Sequence, residues 1–322
     1  MIGNKQITAL IVCGLALFAG GCSLLTTTPT ESRQSLYVPE RNDTILNRYA
    51  PVFLVEENRK NYNRIGTPAA RLDDSGEEVI YVDTGEASVY AMTQEFATDR
   101  DGYTNLIYRI HFPQTPLPHL TAGWNVGLLV YVTLNSEEEP VLITTLHTCG
   151  CYLAFIPTGN LPEGAKPDDW PEQEQTVYGQ SLPVVVEKDS PGERLIIKIS
   201  GATHRVTDLD YADPSRFDRI NRIPLHLNPM DALNRLPIPD DGATSFFETE
   251  GFRKGLVKGS RKPLEMTLMG WWAFDPHVGV DKALGPPDET GATMYTSLKF
   301  WNRDKSNIWY FRRFLDYWGW DL

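Results

Sequence analysis

From Pro51 to Ser200 the sequence keeps returning to one pattern, a short run in which apolar residues recur at every second position. "PVFLVEE", "EVIYVDT", "ASVYAMTQ", "NLIYRIHF", "NVGLLVYVTL", "PVLITTLHT", "LPVVVE" and "RLIIKIS" all carry it. A period of two sends successive side chains to opposite faces, which is the signature of a β-strand. Polar turn segments separate the runs: "NSEEE" lies between Leu134 and Pro140, and "KDSPGE" joins two β-branched runs. No amphipathic helix stands between the strands, so the pattern predicts antiparallel pairing, as a β-sandwich or a partly open barrel. With 8 Trp, 14 Tyr and 13 Phe in a chain that is 41% hydrophobic, there is ample material for a packed core.

Beyond Thr207 the character changes. "DPSRFDRINRI" offers Asp213 as a helix N-cap with Pro214 behind it, and "NPMDALNRL" repeats the device with Asn228 and Pro229. The final segment "SNIWYFRRFLDYWGW" sets Ile308, Phe311, Leu315 and Trp318 at helical spacing on one face, with Tyr310, Phe314 and Tyr317 beside them. The expected division is a β-rich core over 36–207 and an α/β C-terminal part over 208–322, packed together as one continuous domain.

The N-terminus reads as an address. Lys5 precedes an apolar run from Ile7 to Ala19, 13 residues that fall short of the roughly 20 needed to span a bilayer. The run closes on "LFAGGC", and this stretch resembles the lipobox of bacterial lipoproteins. That resemblance implies a signal peptide over 1–21 and acylation of Cys22. Ser23 follows Cys22 where the sorting pattern for inner-membrane retention has Asp, which implies transfer to the outer membrane. The Thr/Ser-rich stretch over 22–35 then serves as a lipidated, flexible tether. Loss of 1–21 removes one charge, Lys5, and takes the formal net charge from -12 to -13. So acidic a chain is unsuited to nucleic acid. Its expected partner is the membrane, reached through the lipid at Cys22.

Of the four cysteines, Cys13 falls in the signal peptide and Cys22 at the lipid site, leaving "HTCGC" with both remaining thiols. If the strand runs from Val141 to Leu153, then His147, Cys149 and Cys151 share a face, and Gly150 marks a bulge between the sulfurs. Three readings stay open. Two thiolates and an imidazole suit Zn²⁺ or Cu⁺, with His111, or His119 in the following loop, as fourth donor. A disulfide between Cys149 and Cys151 would serve thiol exchange. Two buried small hydrophobes or a structural disulfide, beside a core histidine, would do no chemistry.

Two further groups are candidates. "GFRKGLVKGSRK" sets Arg253, Lys254, Lys258, Arg261 and Lys262 among glycines, a pattern that suits an anion. "WWAFDPHVGVDK" sets Asp275 and His277 beside two tryptophans, as an acid/base pair or as ordinary turn chemistry. No GxSxG, HExxH or EF-hand pattern occurs. The sequence therefore points to a lipid-anchored envelope protein acting as a binding or structural module, with an envelope enzyme as the alternative.

Overall fold

Six of the eight period-two runs enter one ten-stranded sheet, curled into a half-barrel, while "EVIYVDT" and "LPVVVE" fall outside it. The computed structural model describes residues 33–40, 42–239 and 242–322. The signal segment 1–21, Cys22 and most of the tether lie outside the described residues. In chain order the strands are β1 (Ser35–Pro39), β2 (Val52–Val55), β3 (Thr67–Leu72), β4 (Glu78–Asp83), β5 (Ser88–Ala97), β6 (Gly102–Thr115), β7 (Gly123–Leu134) and β8 (Pro140–His147). They continue with β9 (Ala154–Pro157), β10 (Glu174–Val177), β11 (Gln180–Pro183), β12 (Arg194–Ile199), β13 (Val206–Ala212), β14 (Asn221–Pro229), β15 (Leu236–Ile238) and β16 (Gly242–Thr244). The large sheet runs β13-β12-β2-β1-β14-β5-β6-β7-β8-β9, and three two-stranded ribbons, β3-β4, β10-β11 and β15-β16, stand apart from it. The protein is mainly β, with 40% strand and 15% helix, and its main sheet is a partly open barrel as the periodicity predicts.

Strands β5 to β9 form an uninterrupted antiparallel meander. The other limb is mixed, because β12 pairs with β2, β1 with β14, and β14 with β5 in parallel. Strand β14 lies in a stretch where proline-capped short helices were expected. Asp213 does cap, accepting from Ser215 N, but the turn it opens is a 3-10 helix ending at Phe217. Pro224 and Pro229 exclude a continuing helix, and Ile223, Leu225 and Leu227 alternate as a strand requires. The second cap fails as well: Asn228 bonds Ser88 instead, and Met230–Asn234 is a 3-10 turn. Strand β13 crosses the expected 207/208 division, and residues 33–322 form one unit.

Alternation divides the core into layers. All ten strands of the sheet turn residues such as Tyr37, Phe53, Val89, Tyr108, Val130 and Ile197 toward a shared interior. The opposite face of the meander, with Ile107, Leu129, Tyr131 and Phe155, is roofed by the C-terminal segment. The α-helices among the described residues are α1 (Ile45–Arg48), α2 (Pro263–Ala273), α3 (Pro287–Thr290) and α4 (Phe311–Tyr317). Helix α4 and its flanks bury Ile308, Phe311, Phe314, Leu315 and Trp320 in that roof, while Tyr310 and Trp318 are exposed. Among the described residues, no helix is long and apolar enough to cross a membrane.

Candidate functional site

The "HTCGC" stretch does not continue as a strand to Leu153. Strand β8 stops at His147, and the chain folds back so that Gly150 N donates to His147 O at 2.8 Å and His147 N to Cys151 O at 2.8 Å. Gly150 makes the turn at φ +94°, in the left-handed region, and a Cβ there would run into the Tyr295 carbonyl. It is thus a turn glycine rather than a bulge, and only glycine meets both demands. The turn carries Cys149 and Cys151 as free thiols, near enough for each to shift the acidity of the other.

Beneath this turn lies a buried polar cluster supplied by distant parts of the chain. Lys262, the N-cap of α2, pairs with Asp281 at 3.1 Å, and both side chains are essentially inaccessible. Asp281 also accepts from Ser260 Oγ at 2.9 Å, from Thr148 Oγ1 and from Gly127 N at 3.4 Å. Glu265, on the inner side of α2, accepts from Cys151 Sγ at 3.5 Å through Oε1, while its buried Oε2 has no protein partner. Lys282 ties the layers together: its N donates to Thr148 O, and its Nζ donates to the carbonyls of Cys149 and Val280.

The electrostatics follow from this packing. Burial alone would depress the Lys262 ammonium, but Asp281, with help from Cys149 and Glu265, outweighs it and holds the amine charged well above its ordinary range. Asp281 is likewise kept ionised against its own burial by Lys262, Thr148 and Ser260. The two thiols are driven apart. The neighbouring Cys151 thiol, aided by Lys262, lowers Cys149, whereas Cys149 and burial push Cys151 up. Cys149 is therefore the more acidic of the two thiols, and the Cys151 S–H is directed at Glu265. Cys151 is partly exposed, beside Tyr152 and Tyr178, whose rings meet edge to face at 5.1 Å.

The histidines stand elsewhere. His147 follows Ile143 and Thr145 onto the interior face, where its Nε2 bonds the His204 carbonyl at 3.0 Å. His111 sits on the other face with Ile107 and Arg109, and its Nε2 accepts from Arg109 Nε at 2.8 Å. The register that pairs His111 with Gly127 and His147 with Leu128 puts the two rings back to back. Burial takes His147 down to about 4 and His111 well below its ordinary range, so both are neutral. The structure does not gather His147, Cys149, Cys151 and His111 around one point. No group of three or more His, Cys, Asp or Glu among the described residues is placed to hold a metal ion.

The remaining candidates are also located. Asp275 and His277 line one cavity of about 190 Å³ with Lys254, Lys282, Tyr295 and Arg303. Asp275, however, accepts from the His277 backbone N at 2.8 Å and from the Tyr295 hydroxyl, while the imidazole packs on Phe252. That is turn chemistry. Of the five basic residues in "GFRKGLVKGSRK", three already have carboxylate partners: Arg253 with Glu248, Lys258 with Glu78 and Lys262 with Asp281.

Sequence reasoning missed Glu265, Asp281 and Lys282 and gave Lys262 the wrong neighbours. A signal existed, since Glu265 is the one charge in "PLEMTLMGWWA" and "DK" follows the uncharged run "PHVGV". Charges isolated in uncharged runs are candidates for buried pairing. No family model, curated protein or solved structure matches this chain.

Proposed function

We propose that this chain is a lipid-anchored protein of a bacterial cell envelope whose body carries a redox-active dithiol, Cys149 and Cys151. The observation that supports the redox reading is the placement of two free thiols on one tight turn beside a buried Lys262–Asp281 pair, with their acidities shifted in opposite directions. The anchored reading rests on "LFAGGC" and the acylation of Cys22 it implies.

In the oxidised form the two sulfurs share a bond. A substrate thiolate attacks Cys151, the sulfur nearer to solvent, and the bond breaks toward Cys149. Cys149 leaves as the thiolate that Lys262 stabilises, and a leaving sulfur that is the more acidic as a thiol departs faster. The substrate's second thiol loses its proton and attacks its own sulfur in the mixed disulfide. Cys151 then departs and takes up a proton. One substrate dithiol becomes a disulfide as the protein disulfide becomes a dithiol, so two electrons pass to the protein. A disulfide acceptor reverses the steps.

Replacing Cys149 with Ser removes the internal leaving group and leaves Cys151 as a lone thiol. Cys149→Ser protein from envelopes should carry mixed disulfides on Cys151, seen as reductant-sensitive adducts in non-reducing gels, and Cys151→Ser protein should carry almost none. Equal trapping by both variants, or by neither, would count against the exchange reading. The anchor has its own test: Cys22→Ser should abolish acylation of the chain, and an acyl group that persists would contradict it.

A further inference from the structure

The helix that supplies Glu265 to the dithiol turns an uncharged, largely apolar face outward. On α2 the buried positions are Glu265, Gly270 and Ala273, whereas Leu264, Leu268, Trp271 and Trp272 are exposed. These four fall at i, i+4, i+7 and i+8, the spacing of a stripe that a soluble helix normally buries. The stripe continues through Phe274 to Phe300 at 5.4 Å and from Phe300 to Trp301 at 5.0 Å between ring centres. Trp271 is 74% exposed, Phe274 72% and Trp301 64%. Phe274 holds its place at φ +51°, at a helix end where glycine is the usual residue. A bulky side chain is uncommon in that conformation, and this one packs on Phe300, itself exposed. So large a contiguous apolar surface marks an interaction site.

We infer that this surface docks on the phospholipid bilayer to which the lipid at Cys22 holds the protein. Three observations favour a bilayer as occupant. The residues are tryptophan, phenylalanine and leucine, and tryptophan favours the depth of lipid headgroups. Close in sequence to its residues the exposed charges are cationic in an otherwise acidic chain: Arg261, Lys299 and Lys305 are exposed, and Asp304 is paired with Arg313. Those charges complement anionic phospholipid and oppose a second copy of the same face, which would set like charges together. Finally, the eleven Cα–Cα steps from Cys22 to Arg33 reach at most about 40 Å, on the scale of a body whose radius of gyration is about 19 Å. An acylated Cys22 would thus hold the body close to the membrane. In this respect the docking rests on the anchored reading.

The full acylated chain in vesicles of brominated phosphatidylethanolamine and phosphatidylglycerol tests both separately. Flotation together with an acyl mass reads the anchor, and quenching of tryptophan emission by the bromines reads the face. Trp271, Trp272 and Trp301 should be quenched. Leu268→Asp with Phe274→Asp keeps every tryptophan and should reduce the quenching by a factor of about three or more, with an unchanged melting temperature because both sites are exposed. Floating protein that is not quenched would overturn the docking surface and leave the anchor standing. Quenched protein with no acyl group would leave the surface standing and overturn the anchor. Quenching that survives the double substitution, or a dimer in solution that the double substitution abolishes, would also overturn the docking surface.

Discussion

Lys262 is where the stability of this molecule and its chemistry meet. Its ammonium compensates Asp281 in the interior and helps depress the Cys149 thiol. Removing one partner of a buried pair leaves the other uncompensated, so Lys262→Met should destabilise the protein by roughly 3 to 5 kcal/mol. Denaturant unfolding measures this, and an unchanged midpoint would deny the pair its structural role. The same variant should shift the alkylation of reduced Cys149 to higher pH, because one stabiliser of the thiolate is lost while the neighbouring Cys151 thiol remains. A purely structural lysine would leave that profile where it was. The presence of this centre was legible in "HTCGC" as two sulfurs two residues apart. Its partners were not, because Lys262, Glu265 and Asp281 lie more than a hundred residues away and arrive through tertiary packing alone. The orientation of the sulfurs relative to His147 was lost for a local reason: the strand ends at His147, so side-chain alternation stops predicting where Cys149 and Cys151 point.

Elements were legible in proportion to how local their cause is. The meander from β5 to β9 follows from alternation and turn residues, both of which act within a few positions. Strand β14 was hidden because one of the two capping signals around it is genuine. Asp213 caps one short turn, and the strand begins at Asn221, held between β1 and β5 by parallel pairings that no neighbouring residue announces. Helix α4 has only seven residues, fewer than an isolated helix needs, so it owes its existence to the sheet it covers. Phe311 stacks on Tyr131 at 5.2 Å, and Phe314 lies 5.6 Å from Phe155. Deleting Ser306 to Leu322 strips six buried apolar side chains from the roof of the meander. At about 1.5 to 3 kcal/mol for each large side chain, the loss approaches the stability of an ordinary domain. The truncated chain should be insoluble. A soluble product with an unchanged melting temperature would show that the segment is not part of the core.

The molecule as a whole joins an acidic half-barrel, a buried charge cluster and one outward apolar face. Its response to acid is set by neutral histidines. Burial brings His147 from 6.5 to about 4 and His204 from 6.5 to about 3. Below pH 6.5 the unfolded chain therefore binds protons that the folded chain refuses. Stability should be highest above pH 6.5 and fall as the pH drops toward 4, at roughly 1.4 kcal/mol per pH unit for each imidazole. Asp281, also depressed, adds a loss of the same sign below its unfolded value of 3.8. Urea midpoints across this range measure the slope, and a flat profile between pH 6.5 and 4 would mean that these rings titrate freely. The central claim, that Cys149 and Cys151 form a working redox couple, is met most directly by equilibrating the intact protein against glutathione buffers of graded potential. Acid quenching, alkylation and peptide mass analysis then report the state of each sulfur. A working couple passes through a reversible two-electron transition in which the pair loses two hydrogens and becomes linked between Cys149 and Cys151. Two thiols that alkylate equally at every potential, or that only collect separate glutathione adducts, would contradict it.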